Sequence, residues 1–379
     1  MTPRRVSNVL VVIVFLAVVG GYGAVGLVKT VRERARWAMI RFVPWRLAPT
    51  WLEARFAERL PLRLAVAGWH GRAKAEWLHV SPTPRVLLGR QGWLYYNQSA
   101  EPGAVPPDDP AFPERLDRWA GALSARRAWL ERRGIKYLIV LVPDKRSIYP
   151  EFVPRFAHHR GPPGVDELMV RCAGDPELTV LDLRPTLRAL KSDGPVFWHT
   201  DTHWCPAGMR AGYAATATAL ARLFPVVGPP SPTGPERRVH IAGGDLARLI
   251  GSAERMPEEA PYWEWLTPPR ARLVAETGEF QTDPMLAHVR PQVWVNDAPH
   301  LPRLLLLGDS FASEEFCAQL AEHCSRLVKV GSYASQEDLI ERERPDVVIF
   351  EFTERMLETF VPRRPSSSLQ HPDLLRVGK

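Results

Sequence analysis

Leu304-Leu305-Leu306-Leu307-Gly308-Asp309-Ser310-Phe311, followed by Ala312-Ser-Glu-Glu-Phe-Cys-Ala-Gln-Leu320, decides the fold. Four unbroken leucines read as a strand covered on both faces, and the stretch from Ala312 to Leu320 has helical spacing. A serine at such a strand end, entering a helix, exposes its hydroxyl beside converging backbone N–H groups. Three further apolar runs repeat the pattern: Tyr137-Leu-Ile-Val-Leu-Val, Leu178-Thr-Val-Leu-Asp-Leu and Asp346-Val-Val-Ile-Phe-Glu-Phe. Helical stretches at 112–133, 185–190, 206–223, 312–321 and 336–342 alternate with them. Strand–helix alternation predicts a three-layer α/β domain with a mainly parallel sheet, whose chemistry gathers where the strands end.

About a hundred residues before Ser310 stands Asp201-Thr202-His203-Trp204. It supplies what a serine nucleophile lacks: His203 as the base, and Asp201 to orient the imidazole and steady its charged form. The Ser310 N–H and its neighbours are available to a developing oxyanion. The pattern points to acyl transfer through an acyl-serine. Each piece has a plainer reading. Gly-Asp-Ser is a common turn, because Asp and Ser bond their own backbone. His199 and His203 have the spacing of metal ligands only on a helix, whereas this segment reads as loop or strand. Trp204 is either a stacking platform for a sugar or a core residue beneath the loop. The reading calls for no metal and no cofactor.

Composition narrows the classes. Of 379 residues, 45% are hydrophobic and 24% charged, the balance of a soluble globular domain. Thirty-seven prolines, about twice the usual share, sit largely in loops such as 102–107 and 228–235. The net charge is +7, but the arginines are interleaved with glutamates and no nucleic-acid motif is present, so nucleic acid is not an expected partner. Cys172, Cys205, Cys317 and Cys324 contain no Cys-x-x-Cys, which argues against zinc or thioredoxin-type sites. Disulfides and free buried thiols both remain open.

Residues 6–28 carry no formal charge and follow Arg4 and Arg5. At ~1.5 Å per residue they are long enough for a hydrocarbon core of ~30 Å, and no cleavage site closes them. They read as an uncleaved signal anchor. Lys29, Arg32, Arg34 and Arg36 beyond it, counted literally, favour a cytoplasmic domain, although large domains translocate regardless of charge. The expected organisation is an anchor at 1–31, an amphipathic helical linker at 32–84, the α/β domain at 85–364 and a mobile polar tail at 365–379.

Five motifs in order resemble the SGNH-like O-acetyltransferases of bacterial exopolysaccharide machinery, the alginate O-acetyltransferase family of AlgJ and AlgX type. They are Gly89-Arg-Gln-Gly-Trp-Leu-Tyr-Tyr96, Val142-Pro-Asp-Lys-Arg-Ser-Ile-Tyr-Pro-Glu151, Thr200-Asp-Thr-His-Trp204, Gly308-Asp-Ser-Phe311 and Pro345-Asp-Val-Val-Ile-Phe-Glu-Phe-Thr-Glu-Arg355. The resemblance covers residues 85–357 and implies an SGNH-hydrolase-like fold in circularly rearranged motif order, with Ser310, His203 and Asp201 catalytic. It further implies a periplasmic domain held at the inner membrane and a membrane-bound O-acyltransferase supplying acetyl groups. The acceptor would be a polysaccharide, and other exopolysaccharide export proteins would be partners. The anchor, with no carbohydrate-binding domain following, makes the AlgJ type the nearer one. Cys205 stands where Thr or a similar residue is expected, and the oxyanion asparagine of ordinary SGNH enzymes has no identifiable counterpart. Tyr333, Arg355, Lys145 and Tyr149 are expected near the acceptor, an ion pair or core hydrogen bond being the alternative for each. A carbohydrate acetylesterase with the same triad and a non-catalytic polysaccharide-binding protein are the competing functions.

Overall fold

The structure is a computed structural model that describes residues 71, 73–157, 164–274 and 280–366. It divides into two compact units, Met1–Leu78 and His79–Lys379. The described part of the first includes a helical turn, Ala73–Trp77. The expected anchor at 6–28 and most of the expected linker lie outside the described residues. Among the described residues no helix is long and apolar enough to cross a membrane.

The second unit begins with a hairpin, β1 (Val86–Leu88) and β2 (Leu94–Tyr96), whose connecting turn needs the positive φ of Gly92, +80°. Helix α1 (Phe112–Glu131) follows, with Pro113 in its first turn and Leu116, Trp119, Leu123 and Leu130 buried on one stripe. Then come β3 (Lys136–Val142), the one-turn α2 (Lys145–Ile148), α3 (Gly164–Cys172), β4 (Thr179–Asp182), α4 (Arg184–Leu190) and α5 (Pro206–Leu223). A second hairpin is made by β5 (Thr233–Ile241) and β6 (Glu258–Trp265), with the short α6 (Asp245–Leu249) between its strands. The chain finishes with β7 (Arg272–Val274), β8 (Gln292–Val295), β9 (Arg303–Gly308), α7 (Glu314–Ala321), β10 (Arg326–Gly331), α8 (Glu337–Glu343) and β11 (Val347–Thr353).

Seven strands form the main sheet in the order β4-β3-β11-β9-β10-β8-β7. Strands β4 to β10 in that order run parallel, while β8 and β7 are antiparallel additions at one edge, so the sheet is mixed. Period-two alternation divides the central strands between two cores. Leu138, Val140, Leu304, Leu306, Val347 and Ile349 pack on one face with Leu187, Tyr213 and Phe316 of α4, α5 and α7. Tyr137, Ile139, Leu305, Leu307, Val348 and Phe350 pack on the other with α1, α3 and α8. Each such side chain contributes about 1.5–3 kcal/mol by leaving water.

Strand β10 was not among the apolar runs because Lys329 interrupts it. That lysine is buried and donates from Nζ to the Ala312 carbonyl at 2.7 Å, just beyond Ser310. The four cysteines are free and buried, which resolves the open alternatives in favour of thiols. Cys205 precedes α5 and points its Sγ at the Pro195 carbonyl, 2.9 Å away, so its departure from the family pattern is a matter of packing.

Candidate active site

Ser310 lies two residues past the end of β9, in the turn leading to α7. The turn is held from below. Asp309 N–H donates to Glu351 Oε2 at 2.8 Å, and Phe311 N–H donates to Asp309 Oδ1 at 2.8 Å. Asp309 Oδ2 accepts from Tyr333 Oη at 2.9 Å and Thr353 Oγ1 at 2.5 Å. Gly308 is required here: a Cβ would stand 2.3 Å from Glu351 Oε2. Burial raises the Asp309 pKa, but the Arg355 charge and the hydrogen bonds from Thr353, Phe311 and Tyr333 outweigh it and bring the carboxyl below its ordinary value. Burial and the Asp309 charge push Glu351 well above the ordinary range, so the pair holds one proton on Glu351.

Residues 196–205 form a tight loop, closed by the Phe197–Trp204 bridge and by Cys205 N–H donating to the Val196 carbonyl at 3.1 Å. Its tip presents Asp201 and His203. Asp201 Oδ1 meets His203 Nδ1 at 2.6 Å, and His203 Nε2 meets Ser310 Oγ at 2.8 Å. Asp201 Oδ1 also accepts the His203 N–H at 2.9 Å, and Oδ2 accepts the Asp245 N–H at 2.8 Å. Burial raises the Asp201 pKa, but His203 and these N–H donors outweigh it and hold the carboxylate far below its ordinary range. With Nδ1–H donated to a carboxylate, the lone pair of Nε2 faces the serine hydroxyl. The side chain of His203 is 31% exposed and that of Asp201 13%, so the base is open to a ligand while its carboxylate is shielded.

Other groups fix this loop. Lys145 Nζ, buried, donates to the carbonyls of Trp198, His199 and Asp201 at 3.0, 2.9 and 2.7 Å. Glu258 at the start of β6 accepts the N–H groups of His199 and Thr200 at 2.6 and 2.9 Å, and meets His199 Nδ1 at 3.0 Å. Asp245 accepts Thr202 N–H at 2.8 Å and Thr202 Oγ1 at 2.5 Å. Ligand atoms of Asp201, His203 and Asp245 come within 4.8 Å of one another, but hydrogen bonds already span them. His199 turns to Glu258 and does not share a ligand set with His203.

The structure brings Asp201, His203 and Ser310 together and corrects the roles expected of several neighbours. Trp204 is 5% exposed and packs on Phe311 and Phe316 at centroid distances of 5.3 and 6.0 Å, so it presents no face to a sugar. Tyr149 is buried, its Oη accepting Val196 N–H at 2.9 Å. Tyr333 is fully buried on Asp309, and Lys145 is spent on the loop carbonyls. These three position the site from within the core. Arg355 alone of that set stays beside the reacting groups, its guanidinium 5.3 Å from the Phe311 ring. Glu258, Asp245 and Glu351 escaped the sequence reading. Glu351, an acid inside an apolar strand, was the one visible signal; the other two sit in polar segments that look like surface.

Residues 86–354 match the family model described as "SGNH hydrolase-like domain, acetyltransferase AlgX". A Pseudomonas fluorescens protein named "Probable alginate O-acetylase AlgJ" is 28% identical over 322 residues, covering 81% of this chain and 76% of its own. The Pseudomonas aeruginosa protein of the same name is 30% identical over 164 residues, a match spanning 41% of this chain and 38% of the relative. The structure of Bacillus cereus PatB1 superposes with a TM-score of 0.52 at 14% identity over 72% of this chain and 97% of that one, a likeness of fold.

Proposed function

From the premise that the chain belongs to the SGNH hydrolase-like, AlgX-type acetyltransferase family, we propose that it moves acetyl groups through an acetyl-serine onto hydroxyls of a secreted polysaccharide, alginate or a related polymer. The observation that carries this reading is the unbroken relay from Asp201 through His203 to Ser310, at 2.6 and 2.8 Å.

In the first half-reaction Ser310 Oγ attacks the acetyl carbonyl as its proton passes to His203 Nε2. The tetrahedral intermediate collapses and the leaving group takes that proton. In the second, a sugar hydroxyl gives its proton to His203 and attacks the acetyl-serine, and collapse returns the proton to Ser310. Asp201, ionised throughout, keeps Nδ1 protonated and steadies the imidazolium. No cofactor enters either step. The acetyl group would come from a membrane-bound O-acyltransferase, with residues 6–28 anchoring the chain and the catalytic unit in the periplasm beside other exopolysaccharide export proteins. The partial exposure of His203 also admits water, which favours acetylesterase activity as the competing outcome.

The test is mass spectrometry of the full chain in detergent after incubation with p-nitrophenyl acetate. A single acetyl adduct on Ser310, absent from Ser310→Ala and His203→Ala, is expected. Oligosaccharides that discharge it into acetylated sugar identify a transferase; discharge only to free acetate identifies an esterase. Full turnover by Ser310→Ala would sink the assignment.

A further inference from the structure

The oxyanion that forms when Ser310 attacks needs donors held ~2.7–3.1 Å from it. The backbone of the nucleophile turn has little to offer. Asp309 N–H is spent on Glu351 and Phe311 N–H on Asp309. The N–H groups of Ser310 and Ala312 make no hydrogen bond among the described residues, and that of Ser310 belongs to the nucleophile itself.

Arg355 is the neighbouring group with unspent donors. Its side chain is 13% exposed, yet no hydrogen bond reaches its guanidinium among the described residues, and Asp144 Oδ2, at 4.0 Å, is its one ion contact. Other enclosed arginines are more fully paired, although Arg126 Nη1 is buried without a partner. Arg184 pairs with Asp182 and Asp166, Arg146 with Asp144 and Glu358, and Arg126 donates to the carbonyls of Arg363 and Tyr333. None of the Arg355 nitrogens is among the buried atoms that lack a partner, so its unused donors are open to solvent or to a ligand.

Sheet register says where those donors are. Strand β11 lies beside β9 in parallel, with Phe350 opposite Leu307. Past that pairing Thr353, the last residue of β11, bonds Asp309, the residue before Ser310. Arg355 follows in the 3-10 turn Glu354–Glu358 that leaves the strand end. Its guanidinium lies between the Tyr96 and Phe311 rings, 5.7 and 5.3 Å from their centroids. Phe311 is also the ring against which His203 packs, at 4.9 Å. One aromatic side chain therefore separates base and guanidinium and fixes both around Ser310.

We propose that Arg355 is a catalytic residue, its guanidinium joining the Ser310 N–H as the donor pair for the acyl oxyanion, in the role that a side-chain amide fills in ordinary SGNH enzymes. The inference rests on the acyl-serine reading above. When Ser310 Oγ bonds to the acetyl carbon, the carbonyl π pair moves to oxygen and is met by Arg355. When the bond to the leaving group breaks, the pair returns and the arginine is released unchanged. The fork of a guanidinium, always charged, suits a charge present only in the transition state.

The experiment compares wild type, Arg355→Gln, Arg355→Lys and Arg355→Ala full-length chains for the burst of acetyl-Ser310 from p-nitrophenyl acetate, a neutral ester with no carboxylate. The expected result for Gln is a ~10²–10³-fold slower acetylation step with KM within threefold, as for loss of one oxyanion donor. Lys should retain more than Gln, and added guanidinium should partly rescue Ala. Unfolding midpoints report folding, and if Gln fails to fold, an unchanged burst in Ala without added guanidinium overturns the proposal. An unchanged burst in Gln, with only transfer to a carboxylated oligosaccharide impaired, also overturns it and makes Arg355 an acceptor-binding residue. If wild type forms no acetyl-serine at all, the acyl-serine reading itself falls and this inference with it.

Discussion

Lys145→Met tests whether the core holds the catalytic loop. Methionine keeps the apolar stem but removes the ammonium that bonds three loop carbonyls. The His199 carbonyl keeps a second donor, Leu94 N–H at 2.8 Å; those of Trp198 and Asp201 have no other among the described residues. Two orphaned acceptors cost about 1–3 kcal/mol each, about 2–6 in all. Against this, burial pulls the Lys145 pKa from 10.5 down to about 8, so carrying the charge costs the native state about 3 kcal/mol. The net loss at pH 7 is then about 1 kcal/mol, within a span of about −1 to 3. The sign of its pH dependence follows. Below pH 8 Lys145 is charged in both states and the gap between variant and wild type is flat. Between about 8 and 10.5 the unfolded state binds more protons than the native one, so this group makes wild type gain stability as pH rises. Urea unfolding should show the gap widening by up to about 3 kcal/mol across that window. Activity should suffer more than stability, because the released carbonyls carry Asp201 and His203, and a displacement of ~1 Å can cost ~10²-fold in turnover. Ester turnover within threefold of wild type, or a gap that does not widen with pH, would refute the reasoning.

Gly244→Ala attacks the same carboxylate from its other side. An added Cβ would lie 2.3 Å from Asp201 Cβ and 2.6 Å from its backbone N, so the loop must move. A stability loss of about 1–3 kcal/mol with at least tenfold lower turnover is expected; a fully active variant would show that Asp201 need not hold its position. For Glu351 the sign runs the other way from Lys145: its pKa is raised by burial, so the native state keeps a proton that the unfolded state loses above about pH 4.5, and stability falls as pH rises. Glu351→Gln, which mimics the protonated acid, should match wild type near pH 4.5 and exceed it at pH 8 in urea unfolding. Identical pH profiles for the two would mean that Glu351 is ionised in the native state.

The local patterns were legible because they are set within a few residues. Runs of apolar residues announced β3, β9 and β11, covered on both faces, and the half-buried edge strand β4, while Pro206 followed by a helical stretch announced α5. The residue types of Asp201, His203 and Ser310 point to one chemistry, acyl transfer, and the resemblance agrees with it. What the chain could not disclose is the outcome of packing between distant segments. Tyr333, Lys145, Tyr149 and Arg355 are all polar residues near motif positions, and nothing local separates them. The parity of a strand and the crossing of a loop turn the first three into the core, where unpaired groups would be costly and each finds a partner. Arg355, beyond the end of its strand, makes no hydrogen bond among the described residues and meets only Asp144, at 4.0 Å. Asp245 and Glu258 likewise acquire their roles only when chain segments 43 and 58 residues apart fold onto the Asp201 loop. Sequence determined which elements form, since hydrophobic period and turn chemistry are local. Tertiary structure decided which side chains reach Ser310, because register and burial are properties of segments brought together.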